Sequence, residues 1–154
     1  MKKKIAILLA LVCIFTAFTA CGSSKKEMNA ADLTKELLDG AGFVDKLDVV
    51  DDAVAVGILY GIDAADVKDV TVCCGTGATA EEIAVFEAVD EGAAGRILAK
   101  ANERVAAQAA AYANYGAAAG LRVEDAVVRQ SGSFVVVVIC SDHDGAVRIV
   151  DQYI

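Results

Sequence analysis

The feature that most constrains the fold is a pair of β-prone runs, residues 126–130 and 133–140, on either side of the dipeptide Ser131-Gly132. Two such runs around a two-residue turn that contains glycine predict a β-hairpin. The second run reads Ser-Phe-Val-Val-Val-Val-Ile-Cys, so both faces of this strand would be apolar. We therefore expect it to be a central strand of a sheet.

Two further strands are expected before this hairpin. Residues 67–74 are rich in Val, Thr and Cys, and the glycines of residues 75–77 end the run. Residues 82–89 fit two patterns, because Thr79 and Glu82 match a helix capping box while the apolar residues that follow alternate as in a strand. We interpret residues 82–89 as a strand.

Two helices are expected before the first of these strands. Residues 32–41 have leucines four apart, with glycines at residues 40 and 42 near the end, which indicates an amphipathic helix. In residues 51–60, an N-cap at Asp51 or Asp52 and a stop at Gly61 favour a short helix. The apolar residues of the same segment also alternate as in a strand, so both interpretations remain open.

Two more helices are expected in the second half of the chain, one capped by Asp90 and ending near Tyr115 and a final one capped by Asp142. The core-facing residues of the long helix recur at three- and four-residue steps. They are Ala94, Ile97, Leu98, Ala101, Val105, Gln108, Tyr112 and Tyr115. Those of the final helix are Ala146, Ile149, Val150, Tyr153 and Ile154.

Together these elements predict an α+β fold. Two N-terminal helices precede strand-strand-helix twice, a layout in which helices cover one face of a four-stranded antiparallel sheet. Residues 31–154 supply roughly 125 residues, which is enough for one domain with a proper core. We expect a single domain over this range.

The N-terminal residues predict export and a lipid anchor. Three lysines at residues 2–4 precede an uncharged run, residues 5–20, that is shorter than the roughly 20 apolar residues of a spanning helix. Small residues then precede Cys21, which resembles the lipobox of bacterial lipoproteins. We expect residues 1–20 to be a lipoprotein signal peptide and residues 21–30 to be the lipidated cysteine and a polar tether. An ordinary cleaved signal peptide and an uncleaved anchor are the alternatives.

This anchor predicts the location and the classes of partner. A lipid on Cys21 would hold the protein on the extracytoplasmic face of the bacterial cell membrane. Without the leader, 11 basic residues stand against 22 acidic ones, a formal charge of −11. Such a charge disfavours nucleic acid and anionic lipid headgroups as partners. The expected partners are therefore the membrane, through the lipid, and an envelope protein.

Two segments carry a family resemblance, residues 60–63 (Tyr-Gly-Ile-Asp) and residues 76–86 (Thr-Gly-Ala-Thr-Ala-Glu-Glu-Ile-Ala-Val-Phe). There the chain resembles a family of small Gram-positive lipoproteins whose single domain has no assigned function. The resemblance runs from about Asp32 to the C-terminus. It implies a location and a fold, and it supplies no catalytic residue that could be transferred to this chain.

The remaining cysteines give the alternative function. Cys73 and Cys74 are adjacent on a strand and so point to opposite faces, but one of them could meet Cys140. A thiol-dependent redox or metal-binding protein using Cys73, Cys74 and Cys140 is therefore the alternative hypothesis, with His143 as a further ligand. Small buried apolar residues in a sheet are the favoured interpretation of these cysteines.

Other motifs do not match a reaction. Residues 75–77 contain two glycines but lack the residues that a Walker loop or a dinucleotide loop requires, so we interpret them as a turn. Asp142 and Asp144 lack the pattern of a calcium loop, and no serine lies in a nucleophile elbow. We therefore expect a binding or structural domain with no catalytic residues, metal site or cofactor.

Overall fold

The computed structural model describes residues 25–114 and 123–154. In these residues, five strands form one antiparallel sheet in the order β1-β2-β3-β5-β4. They are β1 (Asp48–Val49), β2 (Val67–Cys74), β3 (Glu82–Ala88), β4 (Val127–Ser131) and β5 (Phe134–Ile139). The α+β class and the antiparallel sheet are confirmed, but the expected number of strands, four, was wrong. The additional strand β1 has two residues, too few to show an alternating pattern.

Within the described residues, three α-helices accompany the sheet. They are α1 (Ala30–Gly40), α2 (Glu91–Tyr112) and α3 (His143–Val150), and a 3-10 turn (Ala64–Asp66) precedes β2. Each α-helix begins after a side chain that accepts a backbone N–H of the first turn. These caps are Asn29, Asp90 and Asp142, which confirms the two that the sequence predicted. Tyr115, the expected end of the long helix, lies outside the described residues.

The second N-terminal helix is a short π-helical segment, Val54–Leu59. Asp51 precedes it and accepts a hydrogen bond of 3.0 Å from the backbone N–H of Ala53. Tyr60 ends it by donating its backbone N–H to the carbonyl of Ala55, five residues back. Of the two interpretations that the sequence left open, the helical one is correct.

Helices cover both faces of the sheet, so the expectation of one covered face was wrong. Along β3, Ala84 and Phe86 point towards α2, whereas Ile83 and Val85 point towards α1 and α3. The buried valines of β5 alternate in the same way. The physical reason is that interior strands apolar on both faces need cover on both faces.

The predicted hairpin is confirmed, with its turn one residue later than expected. Ser131 pairs with Phe134, which leaves Gly132 and Ser133 as the turn. Gly132 has a φ of 54°, a conformation that glycine adopts without steric cost. β5 lies between β3 and β4 and is therefore an interior strand, as its composition predicted.

The residues just before α1 contact the domain. Lys26 donates its backbone N–H to the carbonyl of Gln152 (2.7 Å) and its ammonium group to Glu36 (2.6 Å). The same ammonium group lies 5.1 Å from the ring centre of Tyr153. The predicted signal peptide and Cys21 lie outside the described residues. No helix within residues 25–114 and 123–154 has the length and apolar character that crossing a bilayer requires.

Candidate functional site

A buried carboxylate marks the candidate site. Glu82 is the first residue of β3 and is only 1% exposed. Because side chains alternate along a strand, it shares the α2-facing side with Ala84 and Phe86. A charged group among apolar neighbours is costly unless it is paired and hydrogen-bonded. Its partners therefore decide whether the arrangement is stable.

Four side chains donate hydrogen bonds to the Glu82 carboxylate. Arg104 places Nη2 2.6 Å from Oε2 and Nε 3.4 Å from Oε1, which makes a buried ion pair. The Tyr60 hydroxyl donates to Oε1, and the Cys74 thiol lies 3.5 Å from Oε2. Nε2 of Gln108 also lies 3.5 Å from Oε2. Protein donors thus replace the water that an exposed carboxylate would bind.

Different elements position these partners. Arg104 and Gln108 are four residues apart on α2 and therefore share one face of the helix. Tyr60 follows the π-helical segment, and its ring packs edge-on against Phe86 with centroids 4.9 Å apart. The Arg104 guanidinium lies 5.8 Å from the centre of the Tyr60 ring. Cys74 ends β2, directly opposite the first residue of β3.

Burial and the charge of Glu82 shift several pKa values. Burial, with the nearby carboxylate, raises the pKa of Tyr60 well above its usual value. The same two causes raise the pKa of Cys74 to about 12, so its thiol is neutral at physiological pH. Burial lowers the pKa of Arg104, but the hydrogen bond and charge of Glu82 outweigh it and raise the pKa overall. Since the thiolate is the reactive form, this environment disfavours thiol chemistry at Cys74.

A cavity of about 340 Å³ borders this cluster, and we call it the Glu82 cavity. Its apolar wall consists of Val50, Val54 and Leu59, and α2 contributes Arg104, Gln108 and Tyr112. The Tyr112 hydroxyl donates to the carbonyl of Gly77 (3.1 Å), which links α2 to the loop between β2 and β3. Apolar walls with a few convergent polar groups are the usual form of a small-ligand site.

The neighbouring Glu81 is also buried, but it supports a loop. It is 2% exposed and accepts the backbone N–H groups of Val44 (2.9 Å) and Asp45 (2.7 Å). Asp45 in turn accepts the hydroxyl and backbone N–H of Thr76, both at 2.7 Å, and these bonds lower the pKa of Asp45. The glycine loop at residues 75–77 therefore donates the backbone N–H of Thr76 to Asp45, which fits a turn better than a phosphate-binding loop.

The cysteines are arranged as the strand pattern predicted. Cys73 packs with Cys140 in the core beneath α1 and α3, whereas Cys74 lies on the other face, in the Glu82 cavity. All three are thiols. Nδ1 of His143 lies 2.6 Å from the carbonyl oxygen of Asp125. Within the part of the chain that the structure describes, no three His, Cys, Asp or Glu residues are grouped so as to hold a metal.

The sequence did not single out Glu82, Arg104 and Tyr60 as a site. Gln108 and Tyr112 were assigned to the core-facing stripe of the long helix, and both line the cavity, but Arg104 was left out of that stripe. The detectable signal is the position of Glu82, in phase with the buried residues of β3. Its partner 22 residues later is recognisable only once the chain is folded.

Comparison with known proteins gives one match. Residues 46–140 match a family described as "Domain of unknown function (DUF4358)", and this range spans all five strands and the Glu82 cluster. The match confirms the expectation of a domain with no assigned function. The lipoprotein character of the family that the sequence resembles stays a prediction. Neither the curated proteins nor the solved structures contain a match.

Proposed function

The chain belongs to the DUF4358 family, whose function is unknown, and from that premise we propose that it is a lipid-anchored, non-catalytic binding protein of the bacterial cell envelope. Its lipid would be attached to Cys21, and its ligand would occupy the Glu82 cavity. The order of basic residues, apolar run, small residues and cysteine supports the location. The geometry around Glu82 supports the binding role.

The binding role is supported by the ordered polar side chains that line the Glu82 cavity. Four donors fix the Glu82 carboxylate, and Arg104 remains 18% exposed at its side chain. Polar groups that are already ordered lose little freedom when a ligand binds. A carboxylate whose oxygens are occupied by donors is a poor general base, so the cluster fits recognition better than proton transfer.

The anchor is tested with the full chain, expressed in a bacterium that makes lipoproteins. Mass spectrometry should find a mature N-terminal peptide that begins at Cys21 and carries a diacylglyceryl group, and an alkyne fatty acid should label the protein. Cys21→Ser should abolish the label. Cys74→Ser should keep it, because that thiol belongs to the folded domain. An unmodified Cys21 in the wild-type protein would contradict the anchor.

Binding in the cavity is tested by methyl NMR of the full chain in detergent micelles, screened against small-molecule fragments. Ligands are expected to shift the methyl signals of Val50, Val54 and Leu59, which line the cavity. Val44, which is 68% exposed and lies outside the cavity lining, is the internal control. Fragments that shift only methyl groups outside the cavity would contradict the proposed site.

A further inference from the structure

We infer that the Glu82 cavity binds a neutral ligand with an amide group, such as a short peptide segment, and that Arg104 and Gln108 recognise this amide. The inference rests on the proposed function, since it assigns a ligand class to the same cavity. Three properties of the cavity carry it: the balance of charge, the donors and acceptors on α2, and the apolar wall.

The balance of charge favours a neutral ligand. Glu82 and Arg104 compensate each other across 2.6 Å, so neither presents an unbalanced charge to the cavity. Glu81 directs its carboxylate to the backbone N–H groups of Val44 and Asp45. An anion would be repelled by the chain, whose formal charge without the leader is −11. A cation would find no free carboxylate among the described residues that line the cavity, because the oxygens of Glu82 already accept donors from the protein. Both charged classes are therefore disfavoured.

The donor and the acceptor left over on α2 match an amide group. A guanidinium has five N–H donors, and Arg104 uses Nε and Nη2 for Glu82. Nη1 of Arg104 has no hydrogen-bond partner among the residues described here. Gln108 turns its NH₂ group towards Glu82, which directs its carbonyl oxygen away from that carboxylate. Both side chains contact the same Glu82 oxygen and line the cavity, so this N–H donor and this C=O acceptor complement the C=O and N–H of a peptide group.

The apolar wall adds a requirement on the group next to the amide. Val50, Val54 and Leu59 form one side of the cavity, and Val54 is 37% exposed. A branched apolar side chain would remove this surface from water, which is favourable. The volume of about 340 Å³ is at the lower end of the range for small-ligand sites, roughly 300–1,000 Å³. A single acylated residue with an amide end therefore fits the space.

The test compares three probes of similar size, N-acetyl-leucinamide, N-acetylleucine and leucinamide. The first is neutral, the second is an anion and the third is a cation. Each is titrated into the full chain in detergent micelles while methyl NMR follows Val50, Val54 and Leu59. The neutral probe is expected to bind at least about ten-fold more tightly than either charged one, because the described lining of the cavity offers no unpaired charge to offset the desolvation of a charged probe.

A variant separates recognition of the amide from apolar contact. Gln108→Leu keeps the size of the side chain and removes the acceptor, and should weaken binding of N-acetyl-leucinamide about five-fold, the value of one ordinary hydrogen bond. Gln108 lies 3.5 Å from Glu82, so its loss should leave the fold intact, which the NMR spectrum reports. The matched control is Gln130→Leu, exposed on β4, which should leave binding unchanged.

Equal affinity for the three probes, tighter binding of a charged probe, or an unchanged affinity in Gln108→Leu would overturn the inference. Fragments that shift the cavity methyl groups while none of the three probes binds would overturn the ligand class and leave the proposed binding site standing. If neither fragments nor probes shift these methyl groups, the proposal of a binding site in the Glu82 cavity is wrong. The anchor at Cys21 is decided separately by mass spectrometry.

Discussion

Glu82 places a charge where the strand pattern calls for an apolar side chain. Moving a carboxylate out of water costs several kcal/mol even after the surroundings relax. The Arg104 side chain, 18% exposed beside a fully enclosed Glu82, offsets that cost together with the hydroxyl of Tyr60. The two charges are therefore tolerated as a pair, and each is unfavourable alone.

Arg104→Met is expected to lower the free energy of unfolding by about 3 kcal/mol, because Glu82 stays buried without its cation. The double variant Glu82→Leu/Arg104→Met should recover most of that loss, since no unpaired charge remains. Urea denaturation measures both, with Arg129→Met, exposed on β4, as the control. A double variant less stable than the single one would contradict this account.

Cys74 links stability to alkaline pH. The thiol has an ordinary pKa of 9.0, and burial, together with the Glu82 charge, raises it to about 12 in the folded protein. The folded state therefore keeps this proton longer than the unfolded state does. Its contribution to stability is fully present below pH 9.0 and is lost as the pH rises towards 12.

Cys74→Ser removes this ionisation and should flatten the decline of the free energy of unfolding across that pH range. Part of the decline should remain in the variant, because burial also raises the pKa values of Tyr60 and Cys73. Urea denaturation at a series of alkaline pH values measures the slope, and the difference in thiolate absorbance between the wild-type protein and the variant reports the titration of Cys74. Identical slopes in the two proteins would refute the assignment to Cys74.

Among the elements, those with strong periodicity were predictable from the sequence. β2, β3 and the hairpin follow from alternation or from continuous apolar runs, and the caps at Asp90 and Asp142 follow from side-chain chemistry. β1 was not predictable, because two residues define no period. The apolar faces of β5 indicated cover on both sides, but the position of each helix depends on the order of the strands, which local sequence does not specify.

The candidate site was harder to predict than the fold, because four different elements contribute its side chains. Glu82 is in phase with the buried residues of β3, and this much is visible in the sequence. Tyr60 and Arg104 each lie 22 residues from it, on opposite sides along the chain. The position of Tyr60 also depends on the π-helical segment, whose wider turn no apolar pattern distinguishes from an ordinary helix.

The π-helical segment allows a test of backbone conformation alone. Gly57 lies inside it and Gly61 just after it, and both have open space where a Cβ atom would be. Gly61 has a φ of 60°, whereas Gly57 lies within helical backbone. Gly57→Ala should raise the free energy of unfolding by about 0.5–1 kcal/mol, and Gly61→Ala should lower it by about 1 kcal/mol. Urea denaturation measures both changes, and a shared sign would contradict the assigned conformations.

In the whole molecule, the N-terminal contacts and the Glu82 cavity lie on opposite faces of the sheet. Lys26 reaches Glu36 on α1 and Gln152 after α3, whereas the cavity lies on the side of α2. About five residues join Cys21 to Lys26, at most about 17 Å of extended chain. With the proposed lipid on Cys21, α1 and α3 would lie next to the bilayer and the cavity would open away from it.

This orientation predicts which helix lies nearer to the lipid headgroups. The chain has no Trp, so a single reporter can be placed by Lys35→Trp on α1 or by Ala106→Trp on α2, both at exposed positions. In liposomes that contain a nitroxide-labelled headgroup lipid, the fluorescence of Lys35→Trp should be quenched more strongly. Adding Glu36→Ala removes the contact with Lys26 and should reduce the difference in quenching between the two reporters. Equal quenching of the two reporters, or stronger quenching on α2, would contradict an orientation in which the cavity faces away from the membrane.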